Sequence, residues 1–512
     1  MAAETTRIAD NTPIIVGAGQ HVEQLAAGAK PPFSAPMQLA AMASRAALAD
    51  AGAQPADIDT IAVIRLFSDA ARAWACPFGG SNNPPESVAR HLGATPDRRI
   101  YSSAGGTEPL QIMVELLGAI ARGESRMALL TGAEAIASQR YALRNGFEDD
   151  WSEEYDAPLD NREYNKRFAS KAELRSGMLL PVHYYALVEN RQAHSLGHDL
   201  DQHRRYMGAM MAPFSAVAAD NPYAQHGRFY AAEELATVNG ANYPISLPLS
   251  KLLVAQDAVN QAAALVLTSA GYARELGIDP AHWIFLDGYA AGEDRYLAQR
   301  VDPGRSTAME RVFDLALAGD DWRDMAHLDI YSCFPCAVHA ACSALGAPTD
   351  GSRALTVTGG LPYFGGPGNN YSLHALAEMA TRLRGSAHRA LVTANGGILS
   401  KHAAAILSGC GERAATVDWR HWEAPSVDAD TIEELPLCDQ PREGRILTWT
   451  VIERRGESQL AVALCETDAG ERFLASSEAQ ETTGALSVRS PIGARVNVEP
   501  GEKRHAFTLA AA

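Results

Sequence analysis

Tyr101-Ser-Ser-Ala-Gly-Gly-Thr-Glu-Pro-Leu-Gln111, with the apolar run to Gly123 and then Met127-Ala-Leu-Leu-Thr-Gly132, is the stretch whose reading decides the fold. It reads as a strand end, a glycine turn, a long apolar helix and a second strand. Gly105-Gly106 permit a tight or closely approached backbone, and Pro109 suits the first turn of a helix. A helix that opens from such a turn offers unpaired N–H groups and a positive dipole end to whatever lies there. That is a place for a nucleophile or for developing negative charge. This chain has a glycine in it.

The elements on either side alternate in the same way. Residues 13–19 form a buried-strand run ending in glycines; it resembles half of a dinucleotide fingerprint, but Gln20-His21-Val22-Glu23 supplies no third glycine. Residues 36–51 read as a helix closed by Gly52, 58–64 as a strand and 87–92 as a short helix closed by Gly93. Strand–helix–strand repetition predicts a largely parallel sheet covered by helices. Residues 145–175 are polar and aperiodic, an excursion from that sheet, and 179–195 and 203–219 read as helices within it. The second half repeats the grammar: strands at 284–289, 328–331, 355–360 and 390–397, and helices at 307–317, 332–345 and 371–383. The predicted fold is α/β, a duplicated core of layered sheets and helices. Its N-terminal half spans 1–270 with an inserted region at about 145–245, and its C-terminal half spans 271–415. From 420 to 512, alternating runs with turns at Gly456 and Gly470 predict a small, separate all-β barrel.

The totals bound the function. A chain of 512 residues with 47% hydrophobic residues has ample core, and its net charge of -17 opposes a phosphate-backbone partner. No nucleic acid is therefore expected. Seven cysteines, an odd number scattered along the chain, fit reduced thiols in a cytoplasm better than a disulfide framework. Neither a signal peptide nor a bilayer-spanning run is visible, so no membrane insertion is expected.

Several motifs resemble the thiolase superfamily. Leu110-Gln111, Ala119-Ile-Ala-Arg-Gly123 and Thr131-Gly-Ala-Glu134 match, in order and spacing, the run that follows the thiolase nucleophile. Counting back puts Gly106 at the nucleophile's position. The family's Asn-Glu-Ala-Phe motif falls on Tyr331-Ser-Cys-Phe334, its Gly-His-Pro motif on Gly365-Gly366-Pro367 and its Cys-x-Gly motif on Ala394-Asn395-Gly396. Asn260-Gln261 fits the Asn-Asp-Gly-Ala strand. Asn83-Pro-Pro-Glu-Ser, Asn221-Pro-Tyr, Gly366-Pro-Gly-Asn-Asn370 and Lys401-His402 resemble the type 1 thiolase-like proteins, whose added C-terminal domain is OB-like.

That resemblance implies a CoA or acyl-CoA ligand and no tightly bound cofactor; no second cysteine pair or histidine spacing completes a zinc site, so no metal is expected. The resemblance also implies a homodimer, or a partner protein docked through the C-terminal domain. The ping-pong chemistry of thiolases needs a thiolate, an imidazole and a second cysteine. Here those positions carry Gly106, Gly366 and Ala394, so classical thiolysis is not expected. What survives is a set of backbone N–H groups that can polarise a thioester, with room left by the missing cysteine for a bulkier acyl group or a water. The candidate pocket is Gly106, Gly366, Asn369, Asn395, Gly396 and Asn260.

Three residues are candidates to restore chemistry. Tyr331 stands where a tyrosine is thought to move a proton in thiolase-like aldolases; the plainer reading is a buried structural phenol. Cys333, in a Cys-x-x-Cys with Cys336 at a helix start, has a position that lowers a thiol pKa; the plainer reading is packing. His402, expected on a last helix facing the pocket, is an acid/base or a ligand contact, or else a histidine bonded to backbone. Lys401 pairs with a CoA phosphate or is solvated, and Ser102 and Ser103 lack any visible base. The expected function is an acyl-CoA-binding protein of the acetyl-CoA acetyltransferase family that acts on the thioester by acyl transfer or C–C cleavage. The alternative is a non-catalytic CoA-ester carrier or scaffold.

Overall fold

The computed structural model describes residues 8–71, 74–162, 168–454 and 457–510. The first half runs β1 (Pro13–Val22), α1 (Pro36–Ala51), β2 (Thr60–Val63), α2 (Pro84–Leu92), β3 (Arg98–Tyr101), α3 (Glu108–Ala121) and β4 (Met127–Ala135). After the excursion that carries α4 (Pro181–Ser195) and α5 (Leu200–Asp220), β5 (Asn260–Ser269) returns to the sheet. The strand order is β1-β5-β4-β2-β3, with Asp160–Asn161 at the edge. Strands β4, β2 and β3 are parallel, but β5 runs antiparallel to both β1 and β4. The sheet is therefore mixed, because β5 arrives from the excursion and not through a short crossover helix.

The second half runs β6 (Phe285–Glu293), α6 (Thr307–Leu317), β7 (His327–Asp329), α7 (Pro335–Leu345), α8 (Tyr371–Leu383), β8 (Arg389–Gly396) and β9 (Lys401–Ser408). Its order β7-β8-β9-β6 repeats β2-β4-β5-β1 of the first half. The expected strand at 355–360 does not form. The buried carboxylate of Asp329 accepts bonds from the Val357 and Thr358 N–H groups and from the Thr356 and Thr358 hydroxyls, which curls that segment around a charge. Amides that bind a carboxylate are lost to a ladder.

Helices α3 and α8 touch both sheets and form the layer between them. Only Gln111 and Glu115 of α3 escape burial, as expected for a helix that is apolar all round. The N-terminal turn of α3, with Gly106, thus lies where the two halves meet.

In the tail, β10 (Glu443–Arg454), β11 (Glu457–Glu466), β12 (Arg472–Ser477), β13 (Arg495–Glu499) and β14 (Ala506–Leu509) close a ring in the order β10-β11-β12-β14-β13 and back to β10. Trp449, Phe473, Val496 and Phe507 fill it. A helix the sequence reading missed, α9 (Gln480–Val488), connects β12 to β13 and buries Leu486 in the same core. The barrel is stitched to the excursion: Ser246 pairs with Ile452 of β10, and the Asn190 amide of α4 donates to the carbonyls of Leu247 and Trp449. No helix among the described residues is long and apolar enough to cross a membrane.

Candidate active site at the start of the central helix

Gly106 is buried, and a Cβ built on it has nowhere to go. It would fall against the Asn395 carbonyl oxygen, 2.6 Å from the Tyr331 hydroxyl oxygen and 3.0 Å from Tyr331 Cζ. The space that the sequence reading left for a larger acyl group or a water is filled by the tyrosine and by the β8 backbone. That expectation is corrected. The turn itself is clamped: Asn369 Oδ1 accepts the Gly105 N–H at 3.0 Å, Asn369 Nδ2 donates to the Arg65 carbonyl at 2.9 Å, and the Ser372 hydroxyl donates to the Gly106 carbonyl at 2.9 Å. Gly396 lies directly over Gly106, a Cβ on it standing 3.4 Å from the Gly106 nitrogen. Gly106, Tyr331, Asn395 and Gly396 are therefore one cluster, with Asn369 as its brace.

Tyr331 follows β7, and its N–H donates to Thr393 Oγ1 at 2.9 Å, which ties the residue to β8. Its ring meets Tyr371 edge-on, 5.5 Å between centroids. The hydroxyl has no hydrogen-bond partner among the described residues. Burial, reinforced by the neighbouring Cys333, pushes the phenol far above its usual range, so it is a proton donor at any physiological pH.

Asn395 is held from the other side. Its Nδ2 donates at 2.8 Å to the hydroxyl of Tyr185, which donates in turn to the Gly397 carbonyl and accepts the Leu399 N–H. Tyr185 stacks on Phe334 at 4.3 Å. Sequence reasoning missed Tyr185 because a tyrosine inside a predicted helix carries no positional signal.

Cys333 touches the cluster through a 3.6 Å contact between its Sγ and Asn395 Nδ2. Burial pushes its thiol up to about 12, the reverse of the lowering expected at a helix start, so the nucleophilic thiolate is absent at neutral pH. Desolvation outweighs the dipole here. Cys336 is buried as well, with its thiol raised further.

His402 lies in β9 and not on a helix, and it does not reach Gly106. Its Nε2 sits 2.8 Å from the Ser306 hydroxyl and 3.0 Å from the Leu399 carbonyl, while Ser306 donates to Asp294. A carbonyl can only accept, so Nε2 carries the proton in this arrangement. Burial keeps the ring neutral. It anchors the 397–400 loop, where Leu399 has a φ of 48°.

Two further pocket candidates lie elsewhere. Asn260 opens β5 and accepts the Ser138 N–H at 3.0 Å, a structural role away from the cluster. Gly366 donates its N–H to the Gln256 carbonyl at 2.8 Å and has none left for a ligand. Ser102 is engaged by Arg65 and by the Ser103 carbonyl, and half-buried Lys401 lies 3.9 Å from Glu293. No cluster of metal-binding side chains occurs among the described residues.

No protein-family model and no curated protein sequence matches the chain. Among solved structures it is similar to a monomeric SCP2-thiolase-like protein type 1 from Mycobacterium smegmatis, 32% identical over 98% of this chain and 100% of that one, with a TM-score of 0.80. It is also similar to an Ltp2-ChsH2(DUF35) aldolase, 21% identical over 78% of this chain and 98% of the other, with a TM-score of 0.55. Human mitochondrial 3-ketoacyl-CoA thiolase in complex with CoA is 15% identical over 79% and 100% of the two chains, with a TM-score of 0.52. The last two share the fold alone.

Proposed function

The chain belongs to the type 1 SCP2-thiolase-like proteins of the thiolase superfamily, and from that premise we propose that it binds an acyl-CoA with the thioester carbonyl at Gly106, against the Tyr331 hydroxyl. The observation that carries the reading is the Tyr331 phenol beside Gly106, buried, protonated and without a protein partner. With no thiolate present, an acyl-enzyme is not the intermediate. The reaction that fits is C–C cleavage of a β-hydroxyacyl-CoA. Loss of the β-hydroxyl proton and scission of Cα–Cβ give a carbonyl product and the thioester enolate, which takes a proton at Cα. The phenol relays both in one concerted step: as Cα–Cβ breaks, its proton passes to Cα while its oxygen receives the hydroxyl proton, so no free phenolate forms and it ends unchanged. An N–H group at the start of α3 is the donor for the enolate oxygen.

The tail from about 420 to 512, a five-stranded ring with a helix between its third and fourth strands, we take as an OB-like domain that shields the core or docks a partner. The two thiolase-like halves, 1–270 and 271–415, hold the site between them. We take the monomeric state of the M. smegmatis relative, and a cytoplasmic location, to hold for this protein as well. One observation favours a second reading, a carrier that binds CoA esters without turnover: Cys333 and His402 are both held out of proton transfer, which leaves the phenol alone.

Incubation with a panel of β-hydroxyacyl-CoAs and acyl-CoAs, followed by mass spectrometry, separates the two. Cleavage that disappears in Tyr331→Phe while CoA-ester binding persists supports the lyase. Saturable binding with no product across the panel establishes the carrier, and absence of any binding refutes both.

A further inference from the structure

The loop that carries Gly396 onto Gly106 is held in a conformation its sequence does not favour. Gly397 has a φ of 60°, which glycine allows, but Leu399 has a φ of 48°, where a leucine Cβ crowds its own backbone. Among the described residues one other non-glycine residue shares that region, Ala318, which closes α6 as helix ends commonly do. No helix ends at Leu399. Backbone held in such a region persists only where its surroundings over-determine it.

The loop is held from three directions. Tyr185 of α4 binds the Gly397 carbonyl and the Leu399 N–H, and His402 of β9 donates to the Leu399 carbonyl. The segment after β6 supplies the rest: the Asp294 N–H donates to the Ser400 carbonyl at 2.8 Å, and Arg300 Nη2 donates to the Ile398 carbonyl at 2.6 Å. Arg300 is 4% exposed, with its Nε on the Arg295 carbonyl and its Nη1 without a hydrogen-bond partner among the described residues. The charges of Asp294 and Glu173 act on it, but both carboxylates take their hydrogen bonds elsewhere. Asp294 accepts the Arg295 and Ala308 N–H groups and the Ser306 hydroxyl, and Glu173 accepts the Ser170 and Ala298 N–H groups. Burial outweighs both carboxylates and pulls the guanidinium pKa down. A charge buried on these terms adds little to stability, and an apolar side chain would fill its place at lower cost.

We propose that Arg300 is a positioning residue for the site at Gly106: it fixes the Ile398 carbonyl, and with it the strained loop that sets Asn395 and Gly396 against the start of α3. The role rests on the thioester lying at Gly106, as proposed above. The Asn395 carbonyl and Gly396 face Gly106, so a loop that relaxes at Leu399 shifts the backbone packed on that turn. What suffers is the alignment of the thioester with the phenol, not the attraction of the CoA ester.

Arg300→Met removes the donor and the charge, and Arg300→Lys keeps the charge and one donor. Hydrogen exchange of the full chain, read by peptide mass, is expected to quicken roughly tenfold or more in Arg300→Met at residues 398–399 and at Gly106, with Arg300→Lys between it and the parent. The Tm of Arg300→Met is expected to stay within about 3 °C of the parent. On any β-hydroxyacyl-CoA that the parent cleaves, kcat falls roughly tenfold or more while KM stays within about threefold, and Arg300→Lys restores part of the loss. Should Arg300→Met fail to fold, Arg300→Lys carries the same tests. Unchanged exchange at the loop and at Gly106, parental kcat in a protein whose loop has loosened, or turnover lost only in step with stability overturns the proposal. Exchange needs no ligand, so it decides the role of Arg300 even if the parent cleaves nothing, a result that sinks the lyase reading by itself.

Discussion

Replacing Gly106 with alanine is the sharpest test of the site. The added methyl carbon meets the Asn395 carbonyl, which belongs to the β8 ladder and cannot swing away, and the hydroxyl oxygen and Cζ of Tyr331. The phenol hydroxyl at 2.6 Å and Cζ at 3.0 Å lie at the closed end of a side chain held by Tyr371 and by its own backbone bond to Thr393. Overpacking of this kind costs about 1–3 kcal/mol. An unfolding entropy of about 2.1 cal/mol/K per residue, taken over the whole chain, converts this to a Tm drop of roughly 1–3 °C. The double variant Gly106→Ala/Tyr331→Ala removes both tyrosine contacts and leaves only the Asn395 carbonyl. Its stability is therefore expected to exceed the sum of the single changes by about 1 kcal/mol, a coupling read from urea unfolding of the four proteins. Gly106→Cys carries the same clash, so it yields a buried thiol and no acyl adduct after incubation with acetyl-CoA, as read by intact mass. A Gly106→Cys protein that melts like the parent and becomes acylated would show that the cysteine pocket is open, and the reasoning fails.

Three further outcomes follow from the burial of ionisable groups and clamps. Burial holds His183 and His402 at about 4 and His374 at about 3, so below pH 6.5 the unfolded chain takes up protons that the native state refuses, and stability falls steeply with acid. Glu134, raised to about 8, works the other way: between pH 6.5 and 8 the unfolded chain has lost the proton that the native state keeps, so stability falls with rising pH by up to about 1.4 kcal/mol per unit. Urea midpoints from pH 5 to 9 should show both limbs, and Glu134→Gln should flatten the alkaline one. Iodoacetamide at pH 7.5 should label half-buried Cys410 and Cys438 well before buried Cys333, as read by peptide mapping; rapid labelling of Cys333 in the folded protein would contradict its high pKa. Asn369→Ala strands the Gly105 N–H and the Arg65 carbonyl, at about 1–3 kcal/mol for each group left buried and unpaired. It should also weaken acyl-CoA binding in proportion to the freedom the turn gains.

Element type was legible wherever periodicity and punctuation agreed. Helices 36–51, 307–317 and 371–383 stand where the apolar spacing put them, and the first is closed by Gly52 in the left-handed conformation. The duplication of the core was readable as repeated sequence grammar; the strand order and the antiparallel β5 were not. Two failures share one cause, partners distant in sequence overriding the local pattern. Residues 355–360 have the composition of a strand, yet the amides of Val357 and Thr358 go to Asp329, 28 and 29 positions away in sequence. His402 follows glycines as a helix start would, but Lys401–Ser408 is claimed by the ladders of β8 and β6.

The site shows the same division more sharply. Motif spacing put Gly106, Tyr331, Asn395 and Gly396 at strand and helix ends that meet, and they do meet. Motif spacing carries no information about volume, however, and volume decides what the glycine means. Read as a list, the missing cysteine is a loss that leaves a void. In three dimensions the glycine and the tyrosine are one exchange, because no residue with a Cβ fits at 106 while Tyr331 points there, and a tyrosine could not point there beside a cysteine. At this helix start the side chain that faces the turn comes from the strand end opposite it. Under the function proposed above, a thiol that must lose its proton is replaced by a phenol that gives one proton and regains one.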